Sequence, residues 1–206
     1  MSRRSNDSAG ERESPVTQLK LAVLISGSGT NLQALINACA KANYPARISL
    51  VISNIEKAAG LARAKRANIP SLVIRHTDFR ERRAFDDALS AALKAVDVDL
   101  ICLAGFMRVL GQPFVDQWQD RIINIHPADT ALHQGLNAYE WAFEKKFKKT
   151  CITIHYIDEG VDTGLVIKKN PVDLSNAKTL DEVKKRGLEV EHVAYSKALN
   201  TLFLNH

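Results

Sequence analysis

From residue 19 onward, short apolar runs alternate with stretches whose apolar residues recur every three or four positions. The run Leu21-Ala22-Val23-Leu24-Ile25 has no polar face, the pattern of a strand buried on both sides. Gly27-Ser28-Gly29-Thr30 breaks it, and Leu32, Leu35, Ile36 and Cys39 then fall at helical spacing. Further strands are predicted over residues 48–52, 71–74, 98–104, 122–125, 152–157 and 165–169, and helices over 57–67, 137–148 and 180–202. Phe85, Ala88, Leu89, Ala92, Leu93 and Val96 outline the cleanest amphipathic helix, with Thr77 or Asp78 as its expected cap. Strands separated by helices imply right-handed crossovers and a parallel sheet. No helix separates the strands near residues 152 and 167, which makes room for an antiparallel member. The expected fold class is α/β: an open, mostly parallel twisted sheet of about seven strands, with helices on both faces and mixed pairing among the last strands. No repeat or linker divides residues 19–206, which read as one domain, whereas residues 1–18 are polar and read as a disordered extension.

The most informative segment is Arg121-Ile122-Ile123-Asn124-Ile125-His126-Pro127. Residues two apart on a strand point the same way, so the Asn124 amide and the His126 imidazole leave the strand end side by side. In open α/β sheets that edge is where ligands sit. The amide donates hydrogen bonds without ionising, and the imidazole carries a proton near neutral pH. Such a pair suits holding an oxyanion and passing on a proton. A capped strand end with two solvated polar residues accounts for the segment about equally well.

The turn Ser26-Gly27-Ser28-Gly29-Thr30-Asn31-Leu32 offers free N–H groups and a helix dipole to an anion. Leu32 replaces the third glycine of G-x-G-x-x-G, and the second strand ends in Ser53-Asn54 without an acid for a ribose. A terminal phosphate therefore fits better than a dinucleotide, with a plain tight turn as the competing reading. The acidic loop Asp158-Glu159-Gly160-Val161-Asp162-Thr163-Gly164 lacks the D-x-D-x-D-G pattern of a calcium site. A carboxylate in it can orient a histidine if it reaches Asn124 and His126. Glu191 shares a helical face with Val183, Gly187, Ala194 and Ala198, so it needs a partner, either an internal one or an amine ligand. Arg82 and Arg83 open a helix, where cations are disfavoured; an anionic partner or a solvated surface answers that. No histidine pair has H-E-x-x-H spacing, no serine lies in G-x-S-x-G, and His155, in an alternating strand, reads as structural.

Composition narrows the picture only a little. The chain has 206 residues, is 46% hydrophobic and 25% charged, and carries a net charge of +5. That suits a globular protein with a small anionic substrate and is too mild and scattered for nucleic acid. The basic run Lys145-Lys146-Phe147-Lys148-Lys149 lies at an expected helix end, where cations suit the dipole. Cys39, Cys102 and Cys151 are odd in number and lack C-x-x-C spacing, as thiols in a reducing compartment would be. No apolar run reaches membrane-spanning length and no signal core opens the chain, so a cytoplasmic protein without membrane partners is expected.

In combination these pieces resemble one family, the glycinamide ribonucleotide transformylases (phosphoribosylglycinamide formyltransferases), over about residues 20–203. The landmarks are Val23 through Gln33, Leu103-Ala104-Gly105-Phe106-Met107-Arg108-Val109-Leu110, Asn124-Ile125-His126-Pro127, and His155-Tyr156 through Asp162-Thr163-Gly164. The resemblance implies a Rossmann-like fold and transfer of a formyl group from 10-formyltetrahydrofolate to the amine of glycinamide ribonucleotide. It implies no metal and no covalent enzyme intermediate. By position, Asn124, His126 and Asp162 match the catalytic trio. Gly29, Thr30 and Asn31 match the phosphate loop, with Arg82 as a second anchor, and Glu191 matches the carboxylate that holds the amine end. Met107, Arg108, Val109 and Leu110 match the folate wall, closed by the loop that carries Ile157, Asp158 and Glu159. A monomer or homodimer is expected.

The chain departs from the pattern after His-Pro, where these enzymes usually read Ser-Leu-Leu-Pro. Here Ala128-Asp129-Thr130-Ala131 precedes Leu132-His133-Gln134-Gly135. Cys151 stands where Gly is usual, and Leu165 where Pro is usual. The same core serves methionyl-tRNA formyltransferase and formyltetrahydrofolate deformylase, which normally add a C-terminal or an N-terminal domain that this chain is expected to lack. A formyltransferase for another amine, such as a sugar nucleotide, and a folate- or nucleotide-binding module without catalysis are the remaining alternatives.

Overall fold

Successive residues of the first strand feed two different cores. Leu21, Val23 and Ile25 enter one, and Ala22 and Leu24 enter the other, which is why the strand has no polar face. The computed structural model describes residues 18–204, so the extension expected over 1–18 lies outside it apart from Gln18. The elements run β1 Leu19–Ile25, α1 Thr30–Cys39, β2 Ala46–Ser53, α2 Ala59–Arg66, β3 Ser71–Val73, α3 Arg82–Ala95, β4 Leu100–Leu103, α4 Gln112–Gln117, β5 Ile122–His126, α5 Ala138–Glu144, β6 Lys149–Tyr156, β7 Val166–Asp173 and α6 Leu180–Leu204. The strands form one sheet in the order β3-β2-β1-β4-β5-β6-β7. β6 pairs antiparallel with both β5 and β7, so it alone runs against the rest. Helices α1, α2, α5 and α6 cover one face, and α3 and α4 cover the other.

The chain steps outward from β1 to β2 and β3, then crosses back to β4 on the other side of β1. The turns after β1 and β4 therefore diverge and leave a crevice at the carboxyl edge of the sheet. They are tied beneath it: Ser26 N donates to Gly105 O at 3.0 Å, and Ser26 Oγ accepts from Met107 N at 2.7 Å.

Two local expectations are corrected, and one helix is added. Thr77 and Asp78 do not cap α3; they lie in a 3-10 turn over His76–Asp78, after which Phe79 is extended. The residue before α3 is Glu81, without a side-chain capping bond, and Asp78 instead accepts from Arg75 at 2.9 Å. Helix α5 stops at Glu144, because Lys146 takes φ +53, so the basic run lies just past the helix rather than in it. Helix α4 is too short to show periodicity in sequence, yet it buries Phe114 and Val115.

Candidate active site

Asn124 and His126 alternate with Ile123 and Ile125, which point into the α1/α6 core. Both polar residues therefore emerge on the opposite face, the side of Ile122, where β5 reaches the crevice. Antiparallel pairing places Asn124 opposite His155 of β6. The loop between β6 and β7 then brings in Asp162, held at φ +55. Asp162 Oδ1 accepts from Asn124 Nδ2 at 3.1 Å and lies 3.3 Å from His155 Nε2. Oδ2 lies 3.2 Å from His126 Nδ1 and accepts from Gly135 N at 2.9 Å. One buried carboxylate thus gathers an amide, two imidazoles and a backbone N–H.

Burial alone would raise the Asp162 carboxyl. The His155 ring, the Gly135 N–H and His126 outweigh it and hold the group below the ordinary carboxylate range. Burial pulls the His126 imidazole below its ordinary value, against the opposing pull of Asp162 and the His133 carbonyl. A proton on His126 is therefore loosely held beside an ionised carboxylate, so the ring can give it up readily.

Asn124, His126 and Asp162 form one side of a cavity of about 320 Å³, with His155 buried behind them. Its other walls come from the turn after β4, with Met107, Arg108, Val109 and Leu110, from residues 135–138, and from the loop with Ile157, Asp158, Gly160 and Val161. Met107, Val109, Leu136 and Val161 are all exposed there and form an apolar rim around the cavity. Arg108 Nε is buried in this wall without a partner. Asp158 shapes the loop by accepting from Gly160 N at 3.1 Å and Thr163 Oγ at 2.6 Å. Glu159 is exposed and does not line the cavity.

The second cluster lies at the start of α1. Gly29 takes φ +68 and packs against Gly60, bringing the start of α2 beside that of α1. Arg63 Nε donates to Ser28 O at 2.9 Å. Asn31 Nδ2 donates to Glu191 Oε2 at 2.5 Å, and Tyr139 donates its hydroxyl to Oε1. Burial raises the Glu191 carboxyl more than these two bonds lower it. Asn31 Oδ1, beside this carboxylate, is buried without a partner, so the pair presents acceptors to an N–H or O–H donor. Arg82 is not brought to this turn: it is exposed on α3, with Asp86 and Gly111 as neighbours, and α3 lies across the sheet from α1. The cation beside the turn is Arg63.

The profile of the formyl transferase family matches residues 19–199. The chain belongs to the formyl transferase family. A phosphoribosylglycinamide formyltransferase of Haemophilus influenzae is 40% identical over 176 residues, covering 85% of this chain and 83% of that protein. The trifunctional purine biosynthetic protein adenosine-3 of Drosophila melanogaster is 46% identical over 185 residues, covering 89% of this chain. This chain spans only 14% of the length of that fly protein. The solved glycinamide ribonucleotide transformylase 1 of Symbiobacterium toebii superposes with a TM-score of 0.89 at 37% identity, covering 96% of this chain and 94% of that one.

Within this formyl transferase, three contributors to the site were not singled out from sequence. His155 reads as structural by strand alternation alone; only its register with Asn124 reveals that it meets Asp162. His133 lies in the unusual loop and Tyr139 follows it, and no spacing rule links them to His126 or Glu191.

Proposed function

We propose that this chain transfers the formyl group of 10-formyltetrahydrofolate to the primary amine of glycinamide ribonucleotide, a step of purine biosynthesis. The observation that carries the reading is the Asp162 carboxylate binding Asn124 and His126 together beside an apolar-rimmed cavity. Kinship with proteins named for this reaction, at 40% identity over most of both chains, supports it. The folate supplies the formyl group on its N10 nitrogen and leaves as tetrahydrofolate. The exposed rim of Met107, Val109, Leu136 and Val161 and the unpartnered Arg108 Nε fit a flat ring system that carries acceptors.

Asn124 and His126 hold the formyl oxygen as negative charge develops on it during attack by the amine. The new bond joins the amine nitrogen to the formyl carbon, and the carbon–N10 bond breaks. Asp162 and His126 take the proton that leaves the amine, and it is returned to N10. Gly29, Thr30 and Asn31 receive the phosphate through free N–H groups at the start of α1. Glu191 and Asn31 accept from the substrate's donors. Arg82, exposed near Arg108, is an anchor for an anionic group at the cavity rim rather than at the phosphate turn. Residues 19–206 act as one domain and work in the cytoplasm as a monomer or homodimer. No described helix is long and apolar enough to cross a membrane.

A second reading has a specific observation behind it. The Tyr139 hydroxyl already occupies one oxygen of Glu191, so a different amine, such as that of a sugar nucleotide, deserves testing. Tetrahydrofolate release should be followed with and without glycinamide ribonucleotide. Release only with the ribonucleotide is expected; release without it means a deformylase, and release only with other amines means the second reading.

A further inference from the structure

The cavity wall of residues 107–110 has no regular structure of its own. It starts past the last ladder bond of β4, where Ala104 N donates to Leu24 O at 2.9 Å, and after Gly105 at φ +73. It ends at Gly111, whose carbonyl accepts from Phe114 N and Val115 N as α4 begins. Among the described residues, Met107 and Gly111 are the members of 105–111 whose main-chain N–H groups find protein acceptors. Both acceptors are side chains from elsewhere in the fold. Met107 N donates to Ser26 Oγ at 2.7 Å, and Gly111 N donates to Asp86 Oδ2 at 2.8 Å. The wall is therefore strung between an anchor just past β1 and an anchor on α3.

Each anchor is itself aimed. A main-chain N–H can only donate, so Ser26 Oγ accepts from Met107 and its own hydrogen must go elsewhere. It goes to Asn54 Oδ1 at 2.6 Å, a length proper to O–H···O rather than N–H···O. Asn54 Nδ2 is left for His76 Nδ1 at 3.2 Å. Asn54 is buried, so it holds the hydroxyl rotor with a lone pair toward Met107. Asp86 is buried too, and a Cβ built on Gly111 would stand 2.7 Å from its Oδ2. The carboxylate thus closes on a glycine that no larger residue could replace without moving it. Neither Ser26, Asn54 nor Asp86 lines the cavity, so all three act through the wall.

We propose that Ser26, aimed by Asn54, and Asp86 are positioning residues for the formyl donor. They fix the two ends of the wall, so that the folate enters a cavity already in shape. The inference rests on the transferase reading above. What each anchor supplies is an acceptor for one N–H, not a charge. Asparagine at position 86 keeps a carbonyl oxygen and should serve in place of the carboxylate.

The test uses the full chain and the variants Ser26→Ala, Asp86→Ala and Asp86→Asn. Amide hydrogen exchange is read residue by residue by NMR without substrate, and steady-state kinetics are run with both substrates. Ser26→Ala should speed exchange at Met107 about tenfold or more and leave Gly111 unchanged; Asp86→Ala should do the converse. Both should raise KM for 10-formyltetrahydrofolate about fivefold or more. Their kcat and KM for the ribonucleotide should stay within about threefold, because Asn124, His126, Asp162 and the α1 turn are untouched. Asp86→Asn should keep Gly111 protected and the folate KM within about twofold of wild type. If Asp86→Ala does not fold, Ser26→Ala and Asp86→Asn decide the matter. Loss of protection at both amides in one variant, or at neither, overturns the anchoring. An unchanged folate KM in the alanine variants overturns the positioning role, as does an Asp86→Asn variant as impaired as Asp86→Ala. A wild type without turnover refutes the transferase reading instead, while the exchange still decides whether the anchors hold the wall.

Discussion

Gly29 and Gly60 touch backbone to backbone: a Cβ built on Gly29 would stand 2.6 Å from the Gly60 Cα. Gly29 also sits at φ +68, so Gly29→Ala combines left-handed strain of about 1–2 kcal/mol with an overlap that no side chain can relieve. A fall in Tm of about 4 °C or more is expected, with a raised KM for the ribonucleotide as the phosphate turn is pushed open. Gly27→Ala is the control, because nothing lies within 4 Å of its added Cβ. Its stability should stay within about 0.5 kcal/mol of wild type. Equal effects at the two positions would mean that the close approach is not what the glycine serves.

Asn124→Ala removes an amide that is only half-buried, so folding should be little affected. The loss of one oxyanion donor should cost on the order of 3 kcal/mol, or about a hundredfold in kcat. His126→Ala should lose at least as much, because it also removes the proton carrier. Steady-state kinetics with circular dichroism as the folding check would decide it. A variant that keeps wild-type kcat would take its residue out of the proposed trio.

Glu191 should leave a signature in stability against pH. Its carboxyl is raised above the ordinary 4.5, so the folded chain binds this proton more tightly than the unfolded chain. Its contribution therefore declines as pH rises from about 4.5 through the folded-state value. Glu191→Gln removes this titration. The Gln amide meets the Asn31 or Tyr139 donor poorly, but that penalty is a constant offset. The Tm difference between variant and wild type should drift in the variant's favour from about pH 4 to pH 7. A flat difference would mean that Glu191 titrates alike in both states.

Much of the sheet is legible from local pattern, because strands buried on both faces have no polar positions and helices repeat at 3.6. Val23 and Leu24 go to different cores for that reason. Asn124 and His126 are legible because strand geometry alone puts them on one face. What local pattern does not carry is register and loop path. The approach of His155 to Asp162 depends on the β5–β6 pairing, and the seat of the His133 carbonyl depends on a loop packed against Trp141. Arg82 shows the same limit. Its place at a helix start is readable, but which side of the sheet that helix covers follows from the crossover between β3 and β4.

Gly187 offers a sign test of how Glu191 is held. In a helix interior Gly→Ala ordinarily stabilises by about 1 kcal/mol. Here a Cβ would overlap the Tyr139 ring, whose hydroxyl serves Glu191 one turn further along α6. Overpacking costs about 1–3 kcal/mol, so it should outweigh the propensity gain, and Gly187→Ala should destabilise. Tyr139→Phe keeps the ring but leaves one buried oxygen of Glu191 without its donor, at a cost of about 1–3 kcal/mol. In a Tyr139→Ala background the space is free, and Gly187→Ala should return to its stabilising sign. The cycle should therefore show a coupling above about 1 kcal/mol by chemical denaturation. Additive effects would mean that the ring does not rest on Gly187.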